Sequence, residues 1–252
     1  MRSRCIPMTP DEFDLLPHEI GWKYEYADGC ASIRPRALAA RLRVPITRRS
    51  VRETGCLFRP ITEDDTPGLV RAFTDGFRDT VEYCDCTGAQ VRHAGVDAIK
   101  TFFAGRRGTF HPTSRLAVSE DRPYLVVGAA LVVQKDDGPF LDMLFIRRRW
   151  QRHGLGTALV SAVMNELADL GEQTLGSAYN VANTPSIAWH RKLGFEEVPD
   201  LFLARARGAV ARHELKRRER IGGLTEQEQR ALEAEVTHWD RLGSRLAAAQ
   251  FG

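Results

Sequence analysis

Apolar positions recur along this chain with two different periods. Over Phe140-Leu141-Asp142-Met143-Leu144-Phe145-Ile146 they run almost without a break, as in a buried strand. Over Leu155, Leu159, Val163, Leu167 and Leu170 they return at spacings of four and three, the stripe of an amphipathic helix. Between the two lies Gln151-Arg152-His153-Gly154-Leu155-Gly156, a basic loop with two glycines. The order is strand, loop, helix N-terminus. Glycine lets backbone approach a ligand closely, and a first helical turn offers unpaired N–H groups at the positive end of the dipole. Phosphate binds well in such a place.

The same reading extends in both directions. Thr9-Pro10-Asp11-Glu12-Phe13 predicts a short helix capped by Thr9, Trp22 to Tyr26 alternates like a strand, and Asp28-Gly29 marks a hairpin turn. Ala31 to Val44 holds strand-like pieces interrupted by Pro35. Residues 1–54 therefore predict a helix and hairpin laid on a main domain, with too few apolar residues for a core of their own. Cys56 to Arg59 predicts a strand closed by Pro60, and Thr62-Glu63-Asp64-Asp65 starts a helix carrying Leu69, Val70 and Phe73. Residues 76–108 predict helix in pieces, with Val96, Ile99, Phe102 and Phe103 on one side. Ser114 to Ser119 and Tyr124 to Val133 predict paired strands, and Asp136-Asp137-Gly138 turns into the strand that ends at Ile146. Thr174 to Ser177 predicts a fifth strand and Leu201 to Ala204 the last.

Such an order implies an α/β fold with a mixed, mostly antiparallel central sheet and helices on both faces. We expect the main domain over residues 55–204 and a helical tail over 205–252. In that tail Ala206 to Arg220 is basic and helical in composition, and Gly222-Gly223 breaks it. Thr225-Glu226-Gln227-Glu228 is a capping box opening a helix striped by Leu232, Val236, Trp239, Leu242 and Leu246. That stripe needs a partner surface, either this domain or a second copy of the chain.

Composition narrows the class. The 43% apolar content over 252 residues excludes a wholly disordered chain. The opening residues Met1 to Pro7 lack the apolar core of a secretory signal, and the longest apolar run, Leu125 to Val133, is too short to cross a bilayer. A cytoplasmic protein with no membrane partner is the expectation. Five cysteines without a regular framework predict reduced thiols. Cys84-Asp85-Cys86 has no second Cys or His pair at a matching ligand spacing, so no metal site is expected. The arginines between Arg34 and Arg52 fall in a stretch with no acidic residue until Glu53. No nucleic-acid motif or aromatic interleaving accompanies them, which argues against a nucleic-acid partner.

Three stretches together carry a more specific signal. Ile146 to Gly156 resembles the acetyl-CoA loop of the GCN5-related N-acetyltransferases (GNATs), Arg/Gln-x-x-Gly-x-Gly/Ala after the fourth strand. Asn183-Thr-Pro-Ser186-Ile-Ala-Trp189-His190-Arg-Lys-Leu193-Gly194-Phe195 is similar to their second signature, Asn-x-x-Ala-x-x-x-Tyr-x-x-x-Gly-Phe. Leu57 to Asp65 resembles their opening strand and helix start. The resemblance spans roughly residues 55–204.

It implies a GNAT-type fold and acetyl-CoA as co-substrate. The pantetheine arm would pair with the main chain of Leu144, Phe145 and Ile146, and the pyrophosphate would sit on the N–H groups of Gln151, Arg152, His153, Gly154, Leu155, Gly156 and Thr157. Asn183 would contact the cofactor or simply start a helix. Gln151 stands where Arg is commoner, Arg152 where Gly is frequent, and Ser186 where Ala is usual. His190 occupies the place of a tyrosine that often protonates the departing thiolate, and Asp142 is the only ionisable residue of its strand, hence the candidate base. The resemblance implies acetyl transfer to a primary amine by direct attack, the acceptor being a small molecule or a protein. An acyl-CoA-binding module without catalysis is the other reading that the His190 replacement permits.

Overall fold

The structure, a computed structural model, describes residues 5–251. The chain forms two compact units. One holds the residues up to Arg41, Tyr179–Ile187 and the chain from Glu197 onward; the other holds Leu42–Ala178 and Ala188–Glu196.

In the first unit, β1 (Ile6–Pro7) precedes α1 (Pro10–Asp14). This helix starts where the sequence predicts: Thr9 Oγ1 accepts the Glu12 N–H at 3.2 Å, and the Glu12 carboxylate accepts the Thr9 N–H at 2.7 Å. β2 (Trp22–Ala27) and β3 (Cys30–Pro35) form a hairpin, with φ of +49° at Asp28 and +74° at Gly29. Two left-handed residues give a two-residue turn the twist its strands need. β1 and β2 flank β3 in a three-stranded sheet. There Cys5 and Cys30 meet as a disulfide with Cα atoms 5.3 Å apart, where the cysteine pattern predicts reduced thiols.

The remaining elements follow in chain order. They are β4 (Ala39–Pro45), β5 (Cys56–Pro60), α2 (Thr66–Phe77), α3 (Gly88–Phe103), β6 (Thr109–Phe110), β7 (Arg115–Ser119), β8 (Arg122–Lys135) and β9 (Gly138–Ile146). After β9 come α4 (Leu155–Asp169), β10 (Thr174–Asn180), α5 (Thr184–Lys192), β11 (Glu196–Val198), α6 (Leu201–Ile221) and α7 (Glu226–Phe251). The central sheet has the order β11-β4-β10-β9-β8-β7-β5, with β6 on the edge of β8. The pairs from β5 through β9 are antiparallel, and β9–β10 is parallel. This is the mixed, mostly antiparallel α/β fold the element order predicts.

Three details differ from expectation. β4, which the pattern groups with the N-terminal hairpin, lies inside the central sheet. Residues 88–103 form one continuous helix, because Thr87 and Gln90 make a capping box and no breaker follows. Leu201 to Ala204 is the first turn of α6, not a strand: Asp200 Oδ1 accepts the Leu203 N–H at 2.8 Å, and so sets a helix start. The last strand is β11 instead.

α2 and α3 cover one face of the sheet. Leu69, Phe73, Ile99 and Phe102 pack there with Leu131 and Phe145 in a core from which water is excluded. α4 lies on the opposite face, where Gly156 comes close to Leu144 and Ile146. Alternation along β9 sends Phe145 to the first face and its two neighbours to the second.

In the first unit α6 and α7 pack along each other. Thr225 and Glu228 form the predicted capping box of α7. Gly208 on α6 lets Trp239 approach, since a Cβ there would lie 3.3 Å from Trp239 Cβ, and the Arg207 guanidinium stands over the Trp239 ring. The half-buried stripe of α7 thus has α6 as a partner surface.

The same unit holds a stack of rings. His18 lies flat against His213 at a centroid distance of 3.5 Å and against Tyr24 at 3.9 Å. His213 donates from Nε2 to Leu16 O at 2.8 Å, while His18 Nε2 is buried without a partner among the described residues. Burial first, and then the neighbouring His213 and Arg36, lower the His18 pKa from 6.5 to about 4. A depressed histidine pKa means that the unfolded chain takes up the proton first. Stability is therefore whole above pH 6.5 and declines as pH falls toward about 4. Urea unfolding at pH 7 and pH 5 should show a lower midpoint at pH 5, and His18→Phe should reduce that difference. An equal difference in wild type and variant would remove His18 as its source.

Candidate functional site

β9 and β10 pair in parallel at only two positions, Gly176 with Phe140 and Ser177 with Leu141. β9 then runs on to Ile146 and β10 to Asn180 without further pairing to each other. On its other edge β9 stays bonded to β8, with Leu144, Phe145 and Ile146 opposite Ala130, Ala129 and Gly128. The two parallel strands therefore fork beyond Leu141. Main-chain groups on the fork side of Leu144 to Ile146 are available to an added extended chain. Their side chains are structural: Phe145 packs edge-on against Phe73, and Ile146 is buried.

The loop after β9 begins with a 3₁₀ turn, Arg148–Trp150. Arg152 and Gly154 then take left-handed φ values of +68° and +85°. Gly154 adopts that conformation without penalty, and Arg152 at a cost of roughly 1–2 kcal/mol. Gly154 is the N-cap of α4 and supplies no capping side chain, and the first bond of the helical ladder is Ala158 N–H to Gly154 O at 2.9 Å. The N–H groups of Leu155, Gly156 and Thr157 precede that bond and point outward from the helix start. Alternating handedness and a helix N-terminus together make an anion-binding concavity.

Gln151 has a different place from the one the motif suggests. Its N–H donates to Arg148 O at 3.2 Å, and its side-chain Nε2 donates to Ile146 O at 2.8 Å and Gly76 O at 3.3 Å. It ties the loop to the end of β9 and to α2, and its own N–H is engaged within the loop. Gly76 makes that approach feasible, because a Cβ there would lie 2.7 Å from Ile146 O. The Thr157 hydroxyl accepts from Trp189 Nε1 at 3.2 Å, joining α4 to α5. Arg52 extends over the loop, within 3.8 Å of where a Gly154 Cβ would stand. The sequence shows Arg52 only as one member of a basic stretch. Arg148 pairs with Asp79 at 2.6 Å, while Arg149, Arg152 and His153 are exposed.

His190 sits at the vertex of the fork. It is 5% exposed, with Nε2 3.1 Å from Ser177 Oγ. Ser177 is the register partner of Leu141, the last rung before the strands part, and its hydroxyl donates to Leu141 O at 3.3 Å. Trp189 and Phe195 meet the His190 ring edge-on, with centroids 4.7 Å and 5.1 Å away. Ser177 escaped the sequence reading, since a small polar residue within a strand carries no signal until its neighbour is known.

Asp142 follows Leu141 directly. It falls between the registered pairs Leu131–Met143 and Val132–Leu141, at the β-bulge of β9. Its carboxylate accepts Arg107 Nε at 2.6 Å, with only 6% of the side chain exposed. Asn183 caps α5: its Oδ1 accepts the Ser186 N–H at 3.0 Å, and its carbonyl takes the Ile187 N–H at 3.0 Å.

The sequence model described as the Acetyltransferase (GNAT) family matches residues 81–195, which contain the fork, the loop and α5. No curated protein matches the chain. Among solved structures, a GCN5-related N-acetyltransferase from Sphaerobacter thermophilus is 16% identical, covering 64% of this chain and 48% of its own, at a TM-score of 0.47. The chain thus spans about half the length of that protein. The PaiA N-acetyltransferase from Thermoplasma acidophilum, solved in complex with coenzyme A, is 13% identical over 57% of this chain and 91% of its own, at a TM-score of 0.46. Residues 81–195 of this chain thus match the GNAT acetyltransferase family model.

Proposed function

We propose that this protein transfers an acetyl group from acetyl-CoA to a primary amine by direct attack in a ternary complex. The observation that carries the reading is the fork beyond Leu141 opening beside a loop rich in outward N–H groups. An extended amide-bearing arm fits the first and a pyrophosphate fits the second. In this reading residues 55–204 are the transferase body, with 1–54 and 205–252 as additions to it.

Acetyl-CoA, when bound, supplies a thioester whose C–S bond breaks as the N–C bond to the amine forms, the amine's proton going finally to the thiolate. The chain's own residues bind and orient. Main-chain groups of Leu144, Phe145 and Ile146 align the pantetheine, and the N–H groups of Arg152 to Thr157 hold the pyrophosphate. Gln151 fixes the loop that presents them, and Asn183 fixes the start of α5. His190 and the Ser177 hydroxyl form a hydrogen-bonded pair at the vertex that can pass a proton toward the fork. Asp142 is the candidate base, its carboxylate kept oriented by Arg107.

Three outcomes test this. Gly154→Asp places a carboxylate beside the cradle and should weaken acetyl-CoA binding by at least about tenfold in calorimetry, while circular dichroism stays native. Unchanged affinity in a folded variant would dismiss the loop. His190→Ala and Ser177→Ala should each lower turnover with little change in CoA affinity, and His190→Tyr should retain appreciable activity. A fall in thermal stability with turnover intact would make the pair structural. Asp142→Asn should abolish the acidic limb of the rate profile and reduce turnover by roughly a hundredfold. A wild-type profile in that variant would leave the proton to a water relay.

A further inference from the structure

Residues 46–54, between β4 and β5, form neither helix nor strand, yet they are held along α4 at successive points. Ile46 N–H donates to Gln173 O at 2.8 Å, just beyond the C-terminal end of that helix. Arg48 pairs with Asp169 in its last turn, an exposed contact that contributes little by itself. Asn165, one turn earlier, holds the main chain of Arg49 with both ends of its amide. Its Oδ1 accepts the Arg49 N–H and its Nδ2 donates to Arg49 O, each at 2.8 Å. Arg49 Nη2 donates in turn to Leu193 O at 2.8 Å, just past α5.

From there the segment continues toward the helix N-terminus and the glycine loop. Asn165 to Gly154 is a rise of about 16 Å along the helix. Three extended residues from Arg49 reach about 10 Å, and the long Arg52 side chain spans the remainder. Its Nη1 arrives 3.8 Å, and its Cδ 4.0 Å, from where a Gly154 Cβ would stand. Among the described residues no carboxylate pairs with Arg52, whereas Arg48 on the same segment has Asp169. The N–H groups of Leu155 to Thr157 carry only partial charges, and Arg52 brings a whole one to the same place. A guanidinium fork matches phosphate oxygens in pairs.

We propose that residues 46–54 are a strap that completes the cofactor site: Arg52 clasps the pyrophosphate of acetyl-CoA, and Asn165 is the positioning residue that sets Arg52 there. This rests on the transferase reading above, and it makes part of the 1–54 addition a working part of that site.

Calorimetry with CoA tests both residues. Arg52→Gln should weaken binding by at least about tenfold and make the affinity less dependent on salt, with circular dichroism unchanged because the side chain is exposed. The same loss should appear with 3′-dephospho-CoA, which keeps the pyrophosphate. A loss confined to CoA would give Arg52 to the 3′-phosphate and overturn the assignment. Asn165→Ala should also weaken CoA binding, although Asn165 touches no ligand, and the double variant should bind no worse than Arg52→Gln alone. Losses that multiply in the double variant would end the positioning role. Wild-type affinity in folded Arg52→Gln overturns the strap and leaves the loop's own N–H groups as the cradle. A wild-type protein that binds no CoA removes the transferase reading itself, and the strap with it.

Discussion

Parallel strands in mid-sheet ordinarily share hydrogen bonds along their whole overlap, whereas β9 and β10 share them at two positions only. Beyond Leu141 the facing main-chain groups need other partners, since a buried donor or acceptor left alone costs about 1–3 kcal/mol. The chain meets part of that need itself. Gln151 turns its amide inward and donates to Ile146 O, closing the far end of the open edge. What is left between Leu141 and Ile146 is an edge built to be completed by something extended, held open from behind by the ladder with β8.

Close packing keeps the fork in register with the loop that follows it. α2 can lie against the strand end only because Gly76 has no side chain, and the loop reaches α4 through the left-handed turn at Gly154. The core on the α2–α3 face fixes the other side, where Phe145 meets Phe73 and Phe77 edge-on or tilted. Burying one such ring contributes about 1.5–3 kcal/mol, more than any exposed ion pair on the surface. The strand end, the loop and the first turn of α4 are thus positioned by apolar contacts, and the polar groups they display are left for a ligand.

The strongly periodic parts of the chain were legible in advance. β9, the glycine loop and α4 stand where the apolar run and the helical stripe place them, and the helix starts at Thr9 and Thr225 are short-range capping chemistry. What escaped was non-local or ambiguous in period. Leu201 to Ala204 is four residues long, too short for periodicity to separate strand from helix, and the deciding group was Asp200 outside the run. β4 shows a clean alternation of buried and exposed residues, but alternation reveals a covered face and not which sheet covers it. At the site, the loop could be read from contiguous residues. Ser177 and Arg52 could not, because each depends on segments distant in sequence that only the fold brings together.

The place of β4 also bears on the order in which the chain can assemble. Its sheet neighbours are β10 and β11, which begin at Thr174 and Glu196. During synthesis the β4 segment leaves the ribosome long before either neighbour exists. The antiparallel run β7-β8-β9 can form from sequence-adjacent pieces, but β4 must wait, with its alternating apolar face uncovered, until both neighbours have been made. Joining ends so far apart costs little more at equilibrium than joining nearer ones, about 0.6 kcal/mol for each doubling of the loop, so the burden falls on time rather than on final stability. That interval is when this chain most needs protection from pairing with another copy of itself.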